Sequence, residues 1–322
     1  MTPAQDENSS RGIVPCTLYS GHYHFGVGGL ANSLYRNGFR GTMCIGYIPP
    51  LPPWARLAQR DSEDMVLQVS EDFRLRFIEW RTERHLCYEK SRFMQHVFDQ
   101  VAPDCESVLL FDADITIHGS WNFFEAWLDQ GVALCLDACF PIVPARHPWR
   151  AAWRTLAKDA GYDSFRDLDF YFNSGFIGVP RSERAVLECW NALIDTIMKK
   201  RGSPIPAMGL NPQESAFGRD DQDSLNCALM ATSVHLSIIG QEGMDFVKAG
   251  YTMSHAVSRT KPWRMHYIAQ ALDARPPSEA DKNFWQYTDQ PIHLFSGMRI
   301  ALTRWAIRLA SVMGHFNNRY RT

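Results

Sequence analysis

The most constraining feature of the sequence is a short apolar run that ends abruptly in two acids. Residues 107–111 read Ser-Val-Leu-Leu-Phe, and Asp112-Ala113-Asp114 follows at once. A run of this length and composition is typical of a central strand in a parallel sheet, buried on both faces. Such a strand delivers the residues behind it to the carboxyl edge of the sheet, where α/β folds bind ligands. The run therefore predicts an α/β protein with a pair of carboxylates at its sheet edge.

The rest of the chain supports a layered α/β fold. Strand-like runs at 13–19, 41–48 and 132–136 are separated by helical patterns, and two of the helical patterns are 89–101 and 182–200. Strands that alternate with helices over about 250 residues predict a mostly parallel central sheet flanked by helices.

We expect four segments along the chain. A flexible polar N-terminus at 1–12 precedes the main domain at 13–270, a linker at 271–290 and a basic amphipathic helix at 291–322. The last segment holds no acid and five arginines, which are Arg299, Arg304, Arg308, Arg319 and Arg321. Arginines interspersed with large apolar residues favour a helix that lies at an anionic membrane surface. A helix that docks on the main domain and shows a basic face is the alternative.

Composition excludes several classes of protein. Lys+Arg number 33 against 35 Asp+Glu, which argues against a nucleic-acid binder that works by bulk positive charge. The eight cysteines form no CxxC pair, so a zinc ribbon or a thioredoxin-like site has no support. Because we find no long apolar span and no signal-like opening segment, we expect a cytoplasmic protein, peripheral on the inner face of the membrane if its tail binds there.

The acid pair itself admits two interpretations. Two carboxylates behind a buried strand need a compensating cation, and hard oxygen ligands suit Mg²⁺ or Mn²⁺. However, Asp112-Ala-Asp114-Ile-Thr116 also resembles the strand-DxDxT motif of haloacid-dehalogenase-type phosphatases. In that family Asp112 would attack phosphorus and Asp114 would serve as acid and base. Asp220 and Asp221 could supply the later acidic pair of such a site.

Three later motifs carry polar side chains that could join the acid pair: Asn173-Ser174-Gly175, Asp221-Gln222-Asp223, and His255 followed by Lys261. Read alone, the first is a turn and the second is a helix N-terminus with acids favoured by the helix dipole. An imidazole beside two carboxylates, however, is a reasonable ligand set for Mn²⁺, and a lysine nearby would face the phosphates that the metal carries.

In order and combination, these motifs resemble those of the retaining, metal-dependent glycosyltransferases with a GT-A fold. That group contains glycogenin, galactinol synthase and bacterial lipopolysaccharide galactosyl- and glucosyltransferases. The resemblance runs from about Ile13 to about Tyr267. It implies a UDP-sugar as donor, Mn²⁺ (or Mg²⁺) as cofactor, and a hexose that moves to a glycan, a lipid-linked sugar or a small molecule.

The resemblance also implies roles for the motifs. The metal ligands are Asp112, Asp114 and His255, and further donor contacts come from Ala113, Asn173, Ser174, Gly175 and Lys261. The catalytic candidates beside the donor sugar and the acceptor are Asp221, Gln222 and Asp223. A basic residue on the helix before the acid pair also touches the donor, and both Lys90 and Arg92 qualify.

Three departures from the family pattern qualify these expectations. Ser258 stands where the family often has a glycine between the histidine and the lysine, and the first strand ends in Tyr19-Ser20-Gly21-His22 rather than in an acid. A long loop at 201–218 is expected to act as an acceptor lid. A non-catalytic protein that binds a nucleotide sugar in a decayed site is therefore a third hypothesis.

Overall fold

The protein is described by a computed structural model over residues 12–201, 220–248 and 250–318. Most of the predicted flexible N-terminus, most of the predicted acceptor lid, and Arg319 and Arg321 lie outside these residues. The strands of the described part are β1 (Ile13–Tyr19), β2 (Gly41–Tyr47), β3 (Gln59–Asp61), β4 (Asp64–Ser70), β5 (Phe73–Glu79), β6 (Ser107–Phe111), β7 (Ile115–Ile117), β8 (Val132–Cys135), β9 (Phe176–Pro180), β10 (Leu236–Ile239) and β11 (Met253–His255).

The helices of the same part include one after most of the central strands. They are α1 (His24–Arg36), α2 (Lys90–His96), α3 (Trp121–Leu128), α4 (Pro148–Asp159), α5 (Ala185–Arg201), α6 (Asp220–Ala231), α7 (Tyr267–Leu272), α8 (Glu279–Gln286) and α9 (Gly297–Asn318).

Nine strands form the central sheet in the order β10-β8-β9-β6-β1-β2-β5-β4-β3. Strands β6, β1, β2 and β5 pair in parallel, as do β8 and β10, whereas β9 and β4 run antiparallel to their neighbours. The expected mostly parallel sheet is therefore confirmed. The antiparallel β9 places its N-terminal end at the edge where β6 and β8 end.

Strand β6 lies between two apolar layers. Leu109 and Phe111 belong to the cluster that includes α1 and α3, while Val108 and Leu110 belong to the cluster that includes α4, α5 and α6. Because successive side chains of a strand point to opposite faces, burial of both faces requires the continuous apolar run that the sequence contains.

A second, two-stranded sheet forms directly behind the acid pair. Strand β11 pairs antiparallel with β7, and His255 stands opposite Ile115 in this register. His118 and Gly119 extend the contact, since both backbone N–H groups donate to the carbonyl of Thr252. This small sheet therefore places His255 next to Asp112 and Asp114, although about 140 residues separate them in the sequence.

Residues 271–290 are not the linker that we expected. Helix α8 lies within them, begins with a capping box between Ser278 and Asp281, and buries Phe284 and Trp285. The side chain of Asn32 on α1 donates to the backbone carbonyl of Tyr287 at 2.8 Å, and a Cβ at Gly29 on α1 would lie 2.9 Å from the Phe284 ring. The apolar side chains of the segment therefore pack against α1. The polar composition around Pro276 and Pro277, which suggests a linker, does not indicate this packing.

The basic tail forms helix α9, which lies against the main domain. Ile300, Ile307 and Ala310 are buried on one side of it, whereas Leu302 and Trp305 are each about 60% exposed. Within the described ranges, we find no helix of the length and apolar character needed to cross a membrane.

A close approach between α1 and the acid pair requires a glycine. A Cβ at Gly26 would overlap the carbonyl oxygen of Ala113 and would lie 2.8 Å from the Trp263 ring. Glycine in a helix interior ordinarily costs about 1 kcal/mol relative to alanine. At Gly26 this loss of helix stability accompanies the close contact between α1 and the Ala113 carbonyl.

We predict that Gly26→Ala lowers the free energy of unfolding by about 1–3 kcal/mol, because overpacking outweighs the gain in helix propensity. The measurement is urea denaturation followed by circular dichroism. Gly297→Ala is the matched control, since an added Cβ at Gly297 meets nothing within 4 Å. A Gly26→Ala protein as stable as the wild type would contradict the close contact.

Candidate active site

The site lies at the carboxyl edge of the sheet, where three strand ends meet. Asp112 follows β6, Asp137 follows β8, and the turn 173–175 precedes the antiparallel β9. The backbone N–H of Asp112 donates to the carbonyl of Gly175 at 2.6 Å, which ties the first and third of these segments together.

Asp112, Asp114 and His255 form one cluster. A carboxylate oxygen from each aspartate and a ring nitrogen of the histidine lie within 4.8 Å of one another. Nε2 of His255 is 3.3 Å from Asp114 Oδ1 and 3.8 Å from Asp112 Oδ2. Two carboxylates and one imidazole are a donor set that suits Mn²⁺ or Mg²⁺, so these residues fit the metal that the resemblance implies.

Two buried lysines flank the cluster, one beside each aspartate. Lys90 Nζ is 2.8 Å from Asp112 Oδ1, and Lys261 Nζ is 2.6 Å from Asp114 Oδ2. Each aspartate thus turns one oxygen to a lysine and the other oxygen to His255. The lysines therefore compensate the charge of both acids, while Asp112 Oδ2 and Asp114 Oδ1 stay directed at the histidine.

The structure separates the two basic candidates on α2. Lys90 also donates to the carbonyl of Ser174 at 3.0 Å and lies 3.3 Å from Asp221 Oδ2. Arg92 instead bonds to Asn191 and to Asp195 on α5. Only the first of the two predicted donor contacts therefore lies in the site.

Opposite charges outweigh burial in this cluster. Burial alone would raise the pKa of Asp114, but His255 and Lys261 hold it well below its ordinary value. Burial alone would lower the pKa of Lys90 and of Lys261, but the facing carboxylates raise both. The aspartate pairing therefore stabilises the fold above about pH 4, and the lysine pairings stabilise it below about pH 10, so all of them act at neutral pH.

The turn 173–175 is shaped for close contact with His255. A Cβ at Gly175 would overlap the His255 ring and lie 2.8 Å from Asn173 Oδ1. Asn173 Oδ1 accepts the backbone N–H of Gly175 at 2.9 Å, which closes the turn. The structure thus gives a packing reason for the Asn-Ser-Gly motif.

The first residues of α6 form hydrogen bonds with Ser174 in the turn 173–175. Asp221 Oδ2 accepts the Ser174 hydroxyl at 2.8 Å, and Gln222 Oε1 accepts the Ser174 backbone N–H at 3.2 Å. Asp223 is 4% exposed and accepts the Tyr171 hydroxyl at 2.6 Å. The three predicted catalytic candidates are thus brought to the site, with Asp223 directed into the core.

Asp137 is a member of the site that we did not predict. It is 1% exposed, and its Oδ2 accepts the side-chain amides of Asn173 at 3.2 Å and of Gln222 at 3.1 Å. Its Oδ1 accepts two backbone N–H groups of the following turn. The signal was available in the sequence, because an acid follows the apolar run 132–136 just as Asp112 follows β6.

Aromatic rings border the site where β1 ends. Trp263 Nε1 is hydrogen bonded to His22 Nδ1 at 2.9 Å, and the rings of Tyr23 and Trp263 meet edge to face at 5.7 Å. Lys261 Nζ lies 5.8 Å from the centre of the Tyr23 ring. The end of β1, where the resemblance would place an acid, thus carries aromatic rings instead.

We predict that Lys90→Met lowers the free energy of unfolding by about 3 kcal/mol in the presence of a chelator, because it leaves Asp112 and Asp221 without their buried cation. Arg92→Met, two residues away on the same helix, is the matched control and should cost about 1 kcal/mol or less, since its ion pair is solvent-screened. Urea denaturation of both variants measures the difference, and equal losses would contradict the assignment.

Comparisons with known proteins bear on the fold. No protein-family model and no curated protein matches the sequence. Among solved structures, the chain is similar to the apo structure of WbbM, a bifunctional glycosyltransferase, with a TM-score of 0.54 and 15% identity over 94% of this chain and 53% of that chain. It therefore spans about half the length of the WbbM structure.

A second similar structure is the galactosyltransferase LgtC in complex with donor and acceptor sugar analogs. Its TM-score is 0.45 and its identity 12%, over 79% of this chain and 90% of that chain. The expected fold class is confirmed by the sheet and by the likeness to WbbM. The chain has the GT-A fold.

Proposed function

We propose that this chain is a metal-dependent, retaining glycosyltransferase that moves a hexose from a UDP-sugar to an acceptor. The observation that carries the proposal is the cluster of Asp112, Asp114 and His255, placed between two buried lysines at the carboxyl edge of a GT-A sheet. Such an edge is where α/β folds place their ligands, and this one offers both metal ligands and cations.

The cluster supports binding of a diphosphate. Asp112, Asp114 and His255 would hold the Mn²⁺ (or Mg²⁺), which supplies a Lewis acid for the charge that develops on the leaving group. Lys261 is the second cation on this side. Its ammonium donates to Asp114 Oδ2 and to the Ala256 carbonyl, which leaves the third N–H for a phosphate. The backbone at Ala113 lies between the two metal-binding acids.

The hydrogen-bonded group of Asp137, Asn173 and Gln222 supports binding of the donor sugar. These side chains meet at the strand ends beside the metal cluster, and sugar hydroxyls need both donors and acceptors. A carboxylate already held by two backbone N–H groups is fixed in position, so it can orient a hydroxyl without itself moving.

Retention of configuration requires either a protein nucleophile or attack on the face from which the diphosphate leaves. We propose same-face attack. Gln222 is an amide, which is a poor nucleophile, and both its ends are engaged by Ser174 and Asp137. Asp223 is buried under Tyr171, and Asp221 is compensated by Lys90. These residues therefore position the sugar and the acceptor rather than form a bond to the sugar.

We also propose that the acceptor is a glycan or a lipid-linked sugar and that α9 lies on an anionic membrane surface. Apolar residues spaced by three and four form a stripe along α9 and are 37–75% exposed: Met298, Leu302, Trp305, Leu309 and Val312. An exposed apolar stripe on an arginine-bearing helix is typical of a helix that lies in a membrane interface. Binding to phosphatidylglycerol vesicles but not to phosphatidylcholine vesicles is the measurement that checks this point.

The two alternative functions have less support. In haloacid-dehalogenase-type phosphatases the acid pair usually opens the core domain, whereas here five strands of a GT-A sheet precede β6, the strand that the acid pair follows. A decayed site would be expected to lack at least one metal ligand, whereas Asp112, Asp114 and His255 are all present and lie within 4.8 Å of one another. Phosphate release from a monoester without any nucleotide sugar would favour the phosphatase, and UDP binding without transfer or hydrolysis would favour the binding protein.

We predict that Asp112→Asn or Asp114→Asn weakens Mn²⁺-dependent UDP binding more than 100-fold, because each removes a metal ligand and uncovers a buried lysine. Isothermal titration with and without Mn²⁺ is the measurement, followed by hydrolysis assays over a panel of UDP-sugars. Asp104→Asn, an exposed acid, is the control. If both variants kept full metal-dependent binding, the metal assignment would be wrong.

We predict a different outcome for Asp137→Asn. This variant should bind UDP with Mn²⁺ like the wild type but lose at least 100-fold in turnover of the UDP-sugar, because its carboxylate faces the sugar side and not the diphosphate. Retained UDP binding also shows that the variant is folded. If a folded Asp137→Asn protein lost both UDP binding and turnover, Asp137 would not act on the sugar alone and the prediction would be wrong.

A further inference from the structure

A second cavity lies apart from the acid cluster. A groove of about 760 Å³ runs between the N-terminal end of α1, the loop 53–57, strand β4 and the segment 291–299. Apolar side chains form much of its walls, among them Trp54, Leu67 and Phe295, while Leu57 at its rim is 75% exposed. An exposed leucine beside an apolar groove is a surface that favours a ligand with hydrocarbon character.

The groove also carries positive charge. Arg56, Arg299 and two histidines line it, and no acid is found among its lining residues in the described part of the chain. The Arg299 guanidinium lies 4.3 Å from the centre of the Phe295 ring and donates to the Trp263 carbonyl at 3.3 Å. Apolar walls with guanidinium groups fit a ligand that is both anionic and amphiphilic.

The position of the groove indicates the source of that ligand. It opens beside the first turn of α9, where Arg299 follows Met298, the first residue of the apolar stripe. The stripe continues to Val312, roughly 21 Å along the helix. The groove and the start of the stripe are therefore neighbours, since Arg299 lines the groove and Met298 precedes it in the chain.

We propose that this groove binds the phosphate-bearing headgroup of a membrane lipid, with α9 lying on the same bilayer. A second copy of the chain is a poorer occupant, because α9 holds no acid and two such helices would bring their arginines together. The groove also connects to the acid cluster through one helix. His24 lines the groove and Gly26 contacts Ala113, so lipid binding would set the orientation of the site relative to the membrane.

The test uses a soluble probe and a bilayer with the full chain. The probe is dihexanoylphosphatidylglycerol below its micelle concentration, titrated by calorimetry, and the bilayers are phosphatidylglycerol and phosphatidylcholine vesicles in a sedimentation assay. We expect saturable binding of the soluble lipid that weakens roughly 10- to 30-fold in Arg56→Gln/Arg299→Gln, about 1 kcal/mol for each arginine. Gln68→Trp, which fills the groove without removing charge, should weaken it as well.

Two further variants separate the groove from its surroundings. Arg146→Gln removes an exposed arginine just before α4, on the other face of the sheet, and should leave binding unchanged. Trp305→Ser should reduce vesicle binding and leave soluble-lipid binding intact, because the stripe faces the bilayer and not the headgroup.

Failure of the proposal has a clear signature. No saturable binding of the soluble lipid, or equal losses in Arg56→Gln/Arg299→Gln and Arg146→Gln, would overturn the groove as a lipid site. UDP binding with Mn²⁺ in the same variants checks the fold and is independent of the lipid readout, so this proposal and the glycosyltransferase proposal fail separately.

Discussion

The balance of charge around Asp112 and Asp114 is the constraint on which the rest of the site depends. Two acids and Asp221 lie at one sheet edge, and isolated buried carboxylates of this kind would cost several kcal/mol each. Lys90 and Lys261 offset that cost by contacting one oxygen of each acid of the pair. The remaining oxygens face His255, so the arrangement that stabilises the fold also leaves three groups that could hold a metal ion facing one another.

Backbone geometry makes this balance attainable. The lysines are far apart in the sequence, Lys90 on α2 and Lys261 in the segment that follows β11. Strand β11 must pair with β7 to bring His255 beside Asp112 and Asp114. Helix α1 must also approach Ala113 closely, since it packs against the backbone between the two acids. Glycines at 26 and 175 permit two contacts that any side chain would block. The cluster is thus fixed by local sterics as well as by charge.

What the sequence predicted was set by local pattern. Asp112 and Asp114 could be located because an apolar run determines where a strand ends, and the same rule would have located Asp137 after β8. Lys90 and Arg92 could not be distinguished, since residues two apart on a helix point about 200° apart and only packing decides which side meets the sheet. Helix α8 was missed because its burial depends on contacts with α1, which is more than 250 residues away in the sequence. Gly29 on α1 leaves room for Phe284 of α8, and the Asn32 side chain bonds to the backbone that follows α8.

The position of α1 links the two surfaces for which functions are proposed. Its first turn lines the basic groove, its next residue touches the acid pair, and its interior packs against the elements that precede α9. A helix buried along nine consecutive residues is rigid, so the groove and the acid pair, which both meet its first three residues, keep a fixed position relative to each other. An enzyme whose acceptor is anchored in a bilayer needs its donor site held at a constant height and angle above that surface. A buried helix that contacts both the groove and the acid pair provides that constancy without any moving part.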